Sequence, residues 1–423
     1  MGSVNELLKN IPIPRMVPVR QHFDREKIED IPAAVRRELD RDDVKAKLRP
    51  GMSIAITAGS RGIDNLALVI RETVAFLQKQ GTKPFVIPAM GSHGGSTAEG
   101  QKAVIAEYGV TEDYVGCPVL ATMETKEIGR LDDGRPVLIN RLAAEADGII
   151  SLNRIKAHTA FRGRYESGVM KMLTIGLGCQ AGAEVCHRQG ILQLGPNVEK
   201  FAFGILANAN VILGIGLIEN AYDETVKIRV MTKEQIPEEE PVLLDYAKSK
   251  MARILFGSVD AMIVDYIGKN ISGEGMDPNI AGRWIVPTIQ GGINATRIGI
   301  LDLTEETLGN FVGLGMADTC SKRVIEKIST ENTYPNSLTS TVTELCKLPM
   351  YFDTHQRTIQ ATIKMVPAKS PEEITMIRIN STLAMDTIWI SENMLDLARR
   401  TPGVEILGEP EPLQFDENGD LFA

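Results

Sequence analysis

Residues 52–89 read MSIAITAGSRGIDNLALVIRETVAFLQKQGTKPFVIPA, and their patterning decides the fold class. Residues 52–57 are a short apolar run of strand length. Residues 58–62, AGSRG, form a turn. Residues 63–80 place Leu66, Leu68, Val69, Thr73, Val74 and Leu77 at helical spacing, and 84–89 are a second strand. The same alternation continues outward. A Gly-rich loop follows at 91–97 and a helix at 98–108, with strands at 136–140 and 148–152. Repeated strand–turn–helix units predict an α/β fold with mainly parallel sheets.

On the N-terminal side, residues 1–50 are charged and carry Pro12, Pro14 and Pro18, so they read as an arm with a polar helical stretch at 33–47. On the C-terminal side, 155–190 is rich in glycine and bears histidines, and 201–217 is an apolar run suited to a helix followed by a strand. The stretch 233–242, KEQIPEEEPV, is acidic and holds two prolines, which puts a domain boundary near 245. A second α/β pattern begins beyond it. Residues 259–267 and 297–303 read as strands, 270–279 as a loop and 304–315 as a capped helix. The expected organisation is therefore an α/β domain over 1–245, a second over 246–395, and a tail over 396–423 with a path back to the first domain. The acidic 416–420 stretch is too short for a calcium loop and reads as a turn.

Composition narrows the function. Of 423 residues, 43% are hydrophobic and 24% charged, as in ordinary globular domains. A net charge of −9 without a long basic run argues against nucleic acid, as does an aromatic content of 5%. No apolar stretch approaches the ~20 residues of a membrane helix. The first ten residues lack the pattern of a signal peptide. Five scattered cysteines make no disulfide framework and point to a reducing cytoplasm. Cys179 and Cys186 flank the histidine-rich region without CxxC spacing and read as buried thiols.

Three of the five histidines lie in Gly-rich surroundings at expected strand ends: His93 in GSHGGS, His158 in KAHT and His187 in EVCHR. Loops at the carboxyl ends of parallel strands form the ligand crevice of open α/β sheets. Three imidazoles can make a three-histidine metal site, or divide into one ligand and two acid–base groups on opposite faces of a reacting carbon. The turn at Gly59, Ser60 and Arg61 precedes a helix N-terminus and suits an anion. Lys171 sits among small and apolar residues, which leaves it between a snorkelling lysine and a covalent role. Lys269 follows a strand of the second domain and could hold a carboxylate across an interdomain cleft. No dinucleotide or nucleoside-triphosphate glycine signature is present.

Taken together, residues 57–61, the 91–95 loop with His93, the segment from His158 to Lys171, His187, and Gly268-Lys269 with Asp277-Pro278-Asn279 resemble the nickel-pincer lactate racemase family. The resemblance implies two α/β domains with the active site in the cleft between them. It implies a nickel-pincer nucleotide, a Ni(II) pyridinium-3-thioamide-5-thiocarboxylic acid mononucleotide, loaded by cofactor-synthesis proteins. Lys171 would tether it, His187 would bind nickel, and Gly59 and Ser60 would contact it. His93 and His158 would be the acid–base pair, with Arg61 and Lys269 positioning the substrate carboxylate. The expected activity is a racemase or epimerase of a 2-hydroxy acid, an isomerase working by reversible hydride transfer, with a homo-oligomer left open.

The sequence also departs from that family. Ala58 stands where the family often has an acidic residue, and neither Trp284 nor Trp389 matches its substrate-side tryptophan. Arg162 and Arg164 are added near the site, and would suit a substrate larger or more polar than lactate. They could equally face solvent or the cofactor phosphate. A histidine-based metal hydrolase and a non-catalytic anion-binding protein are the competing readings.

Overall fold

The computed structural model describes residues 2–60 and 62–422. It contains two compact units, residues 24–251 and residues 2–23 with 252–422.

The 24–251 unit is built on a five-stranded sheet. Its strand order is Lys83–Pro88, Ser53–Ala58, Gly148–Arg154, Val211–Glu219 and Thr225–Thr232. The first four strands run parallel and the last antiparallel. The chain leaves Ser53–Ala58 for one neighbour and later returns on its other side as Gly148–Arg154. That reversal is a topological switch point, where two strand-end loops part and leave a crevice. Side chains alternate across the sheet. Ile54 and Ile56 enter one buried cluster and Ala55 the other. Both faces are therefore covered, as a parallel sheet requires.

Helix Leu66–Lys79 turns Leu66, Val69, Ile70, Thr73, Val74 and Leu77 inward, the 3.6-residue stripe the sequence showed. Gly81, at φ +75°, ends the connection into the next strand. Two segments differ from expectation. Strand Pro136–Asn140 does not join the main sheet. It pairs antiparallel with Thr125–Arg130 as a separate ribbon, turned at Gly134 with φ +83°. The 233–242 stretch, read as marking a domain boundary near 245, is mostly helical, because helix Ile236–Lys250 runs through it and the first unit ends at 251. Pro237 sits in the first turn, where a missing N–H costs nothing, and Ile236, Leu243, Leu244 and Ala247 are buried.

The other unit carries an eight-stranded sheet. Its order is Met350–Phe352, Thr319–Ser321, Asn294–Leu303, Ser258–Ile267, Met376–Ile379, Thr387–Ser391, Met16–Gln21 and Val404–Ile406. Its first five strands pair parallel and the rest antiparallel. Three expectations are corrected here. The proline-dotted arm supplies a strand, Met16–Gln21, whose Val17 and Val19 are fully buried, and this places residues 2–23 outside the first unit. The tail stays with the second unit. Leu413, Phe415, Leu421 and Phe422 pack on its core, and Gln356 N–H donates to Gly419 O at 3.0 Å. Residues 304–315 form only the short turns Glu305–Thr307 and Leu314–Met316, since Leu308, Gly309 and Gly313 all take positive φ.

Among the described residues, no helix is long and apolar enough to cross a membrane.

Candidate functional site

Three loops at the carboxyl edge of the five-stranded sheet carry most of the sequence candidates. After Ser53–Ala58 come Gly59 and Ser60, and Arg61 lies outside the described residues. After Lys83–Pro88 comes the loop with His93, and after Gly148–Arg154 the loop with His158. The first two loops meet, because Ser60 Oγ and His93 Nδ1 share a hydrogen bond. The His93 loop is further held by Gln101, buried on helix Ala98–Glu107. Its Nε2 donates to Gly91 O at 2.9 Å and to His93 O at 3.2 Å. Gly94, at φ +64°, leaves no room for a side chain, since a Cβ would lie 2.6 Å from Gln101 N.

Sequence reasoning missed Gln101 because its partners are carbonyls, which leave no residue-type signature. Gln101→Ala is expected to lower stability by about 1–3 kcal/mol through two orphaned carbonyls. It should also speed amide exchange at residues 91–96, and unchanged protection there would refute the brace.

Lys171 closes the short helix Val169–Lys171. The next turn is wide, with Leu177 N–H donating to Met172 O five residues back at 2.8 Å. Such i→i+5 turns recur at functional sites. Gly176 lets this turn meet the His93 loop, with Gly91 N–H on Gly176 O at 3.2 Å. A Cβ on Gly176 would lie 2.6 Å from Ala89 O. Gly59 lies against the same turn, its Cβ position 3.2 Å from Met172 Cε.

His187 ends helix Cys179–His187. Burial first, and then the charge of Lys171, lower its imidazole to about 4. His158 is held well below its ordinary value by burial, then by Lys171, Lys156, His187 and Arg162. The structure thus gathers Lys171, His158 and His187 within electrostatic reach of one another. Both imidazoles are neutral near pH 7, the state in which a histidine binds a metal or accepts a proton. Ala160 N–H donates to His158 Nδ1 at 2.9 Å, which puts the ring proton of neutral His158 on Nε2.

The remaining candidates divide. Arg162 Nη1 bonds His158 O at 2.8 Å and Glu166 Oε2 at 3.3 Å, so it belongs to the His158 loop itself. Arg164 is placed elsewhere. It bonds Pro237 O and Glu238, half exposed, with its guanidinium over the Tyr165 ring. The acidic first turn of helix Ile236–Lys250 supplies that partner. Lys269 lies in the other unit, after strand Ser258–Ile267, with Nζ on Gly273 O at 2.6 Å. Cys179 and Cys186 are buried, and burial pushes the Cys186 thiol up to about 12. Among the described residues, no three His, Cys, Asp or Glu side chains are grouped to hold a metal ion. The three-histidine zinc reading therefore lacks its geometry.

Two buried acids also escaped the sequence reading. Glu166 accepts from His158 N at 2.7 Å, and Glu240 accepts from Met170 N at 3.0 Å. Their partners on the other element, Lys248 for Glu166 and Met170 for Glu240, are 82 and 70 residues away, beyond any local motif.

Residues 12–194 match the lactate racemase N-terminal domain family. Among solved structures, the chain is similar to a lactate racemase apoprotein from Thermoanaerobacterium thermosaccharolyticum. The identity is 15% over 81% of this chain and 88% of that one, with a TM-score of 0.46. It is also similar to a protein from Thermotoga maritima, at 13% identity over 74% and 81% of the two chains and a TM-score of 0.49. No curated protein matches it. The family match lies in the N-terminal part of the chain, and residues 12–194 are identified there as a lactate racemase N-terminal domain.

Proposed function

We propose that this chain is an isomerase that inverts the hydroxyl-bearing carbon of a 2-hydroxy acid with a nickel-pincer nucleotide. The match of residues 12–194 to the lactate racemase N-terminal domain supports a racemase or epimerase. The observation that carries the finer reading is the shared electrostatic neighbourhood of Lys171, His158 and His187. The residues fit such a group. Lys171 carries the amine that a covalent tether requires, a neutral imidazole is the ligand form of histidine, and Gly59 keeps a side chain out of the space beside Met172.

Lys171 would hold the group through Nζ and His187 would supply a nitrogen to nickel. When bound, the group supplies an electrophilic ring that takes up and returns a hydride. The protein moves the proton and holds the acid. The bond between Ser60 Oγ and His93 Nδ1 orients the His93 ring, and in the tautomer with the proton on Nδ1 its Nε2 is the base for the substrate hydroxyl. His158 presents Nε2–H, the form that hydrogen-bonds an oxygen, and it accepts a proton only after its bond to Ala160 rearranges. Arg61 and Lys269 are the proposed carboxylate partners. Arg162 and Arg164 were the argument for a larger or more polar substrate. Both are bonded within the protein, so the proposal extends to 2-hydroxy acids as a class.

His93→Ala and His158→Ala each test this reading in enzyme loaded by cofactor-synthesis proteins. Racemisation of a panel of chiral 2-hydroxy acids should fall by about 10²-fold or more in each, with an unchanged thermal melt. Wild-type turnover in both variants would sink the acid–base assignment. A loaded wild type without turnover, with ligand affinity unchanged in both variants, would favour a non-catalytic anion-binding module.

A further inference from the structure

We propose that Glu166, tied to Lys248, is a positioning residue for His158, and that Arg162 braces the same loop. The kinetic side of this proposal rests on the racemase reading; its structural side does not.

His158 lies on an irregular segment between Arg154 and Val169. A side chain that handles a proton must be held to a fraction of an ångström, and a loop of this length does not do so unaided. The neck is closed by a two-way backbone pairing, Lys156 N to Ser167 O at 3.0 Å and Ser167 N to Lys156 O at 3.2 Å. Inside it, the Glu166 carboxylate is wholly buried and gathers three donors. Oε2 takes His158 N at 2.7 Å and Arg162 Nη1 at 3.3 Å, and Oε1 takes Lys248 Nζ at 2.9 Å. Arg162 Nη1 also reaches His158 O at 2.8 Å. Both backbone polar groups of His158 are therefore fixed by side chains. The ring follows, with Nδ1 on Ala160 N and its face 4.1 Å from Phe161 between centroids.

Lys248 connects this clamp to the rigid helix Ile236–Lys250. A buried carboxylate holds its orientation only while its hydrogen-bond partners remain. Without Lys248, Oε1 loses its partner and the carboxylate is released to turn, which loosens its bond to His158 N. Lys248 is about one-third exposed, so its replacement leaves the core intact.

The test uses Lys248→Met, Lys248→Arg and Glu166→Gln in protein with ¹⁵N-labelled histidine, where only five ring pairs resonate. In cofactor-free wild type, His158 should show a fixed Nε2–H signature. In Lys248→Met that signature should move toward an averaged one, and His158 amide exchange should quicken by about tenfold. In the loaded enzyme kcat should fall by about tenfold with KM nearly unchanged. Lys248→Arg should restore all three. A His158 ring spectrum and amide exchange unmoved in Lys248→Met overturn the proposal, whatever the kinetics. If the loaded wild type racemises nothing, the racemase reading fails while the spectra still decide the clamp. If Glu166→Gln does not fold, the Lys248 pair decides alone.

Discussion

Lys171→Met should abolish both covalent loading and turnover while raising the pKa of two histidines. The first effect follows from the proposed tether. Wild-type chain made together with cofactor-synthesis proteins should gain mass on Lys171, and the variant should gain none and racemise at background rate. The second effect needs no cofactor. The Lys171 ammonium disfavours the imidazolium of His187 and His158, so removing it favours their protonated forms. His187 should therefore titrate upward from about 4, and only part of the way to its ordinary value, because burial is the larger cause and persists. A proton NMR titration of the apoprotein reads both sites. An adduct of full mass on the Met variant would eliminate the tether. Unmoved histidine titrations would eliminate the shared neighbourhood on which the site is built. Either result can occur without the other, so chemistry and geometry are tested separately.

How much of this was legible in the chain depends on how far apart the cooperating residues lie. The helical stripe from Leu66 to Leu77 and the flanking apolar runs are local signals, and the strand, helix and strand read from them lie close to Ser53–Ala58, Leu66–Lys79 and Lys83–Pro88. Glycine-rich strand ends are also local, so His93, His158 and Lys171 stood out. The Met16–Gln21 strand did not, because its partners are 367 to 387 residues downstream, as Arg20↔Thr387 and Val19↔Ile406 show, and its proline suggested an arm. Acidic residues and prolines over 233–242 read as the mark of a domain boundary, but buried apolar positions on one face make a helix that runs to Lys250. At the site, the visible residues were those that would touch a ligand. Those that hold them, Gln101, Glu166, Lys248 and Glu240, are ordinary polar residues until the fold buries them. Arg164 shows the converse: a charge near the site in sequence is drawn off by Glu238, which only the fold brings beside it.

Glu240 should make the protein lose stability between pH 5 and pH 8 relative to Glu240→Gln. The side chain is buried on helix Ile236–Lys250, where Oε2 takes Met170 N–H and Oε1 has no hydrogen-bond partner among the described residues. Burial raises its pKa to about 8, against the pull of the Met170 and Val169 amides. In the unfolded chain the same group titrates near 4.5. Below that value both states hold the proton. Between 4.5 and 8 the unfolded state has released it and the folded state retains it, so each rise in pH favours unfolding. Above about 8 both are ionised and the loss levels off. At 1.36 kcal/mol per unit the full swing is roughly 4–5 kcal/mol, a large share of the ~5–15 kcal/mol that holds a domain folded. Glutamine copies the neutral acid in shape and keeps an acceptor for Met170 N–H, but it does not titrate. Urea denaturation of both proteins at several pH values isolates the group, since other titrations cancel in the difference. The wild-type curve should fall below the variant's as pH rises, while Lys171, on the turn that Glu240 supports, should still take the adduct in both. Parallel curves across that range would mean that Glu240 is solvated or paired in solution, and its place beneath the Lys171 turn would have to be redrawn.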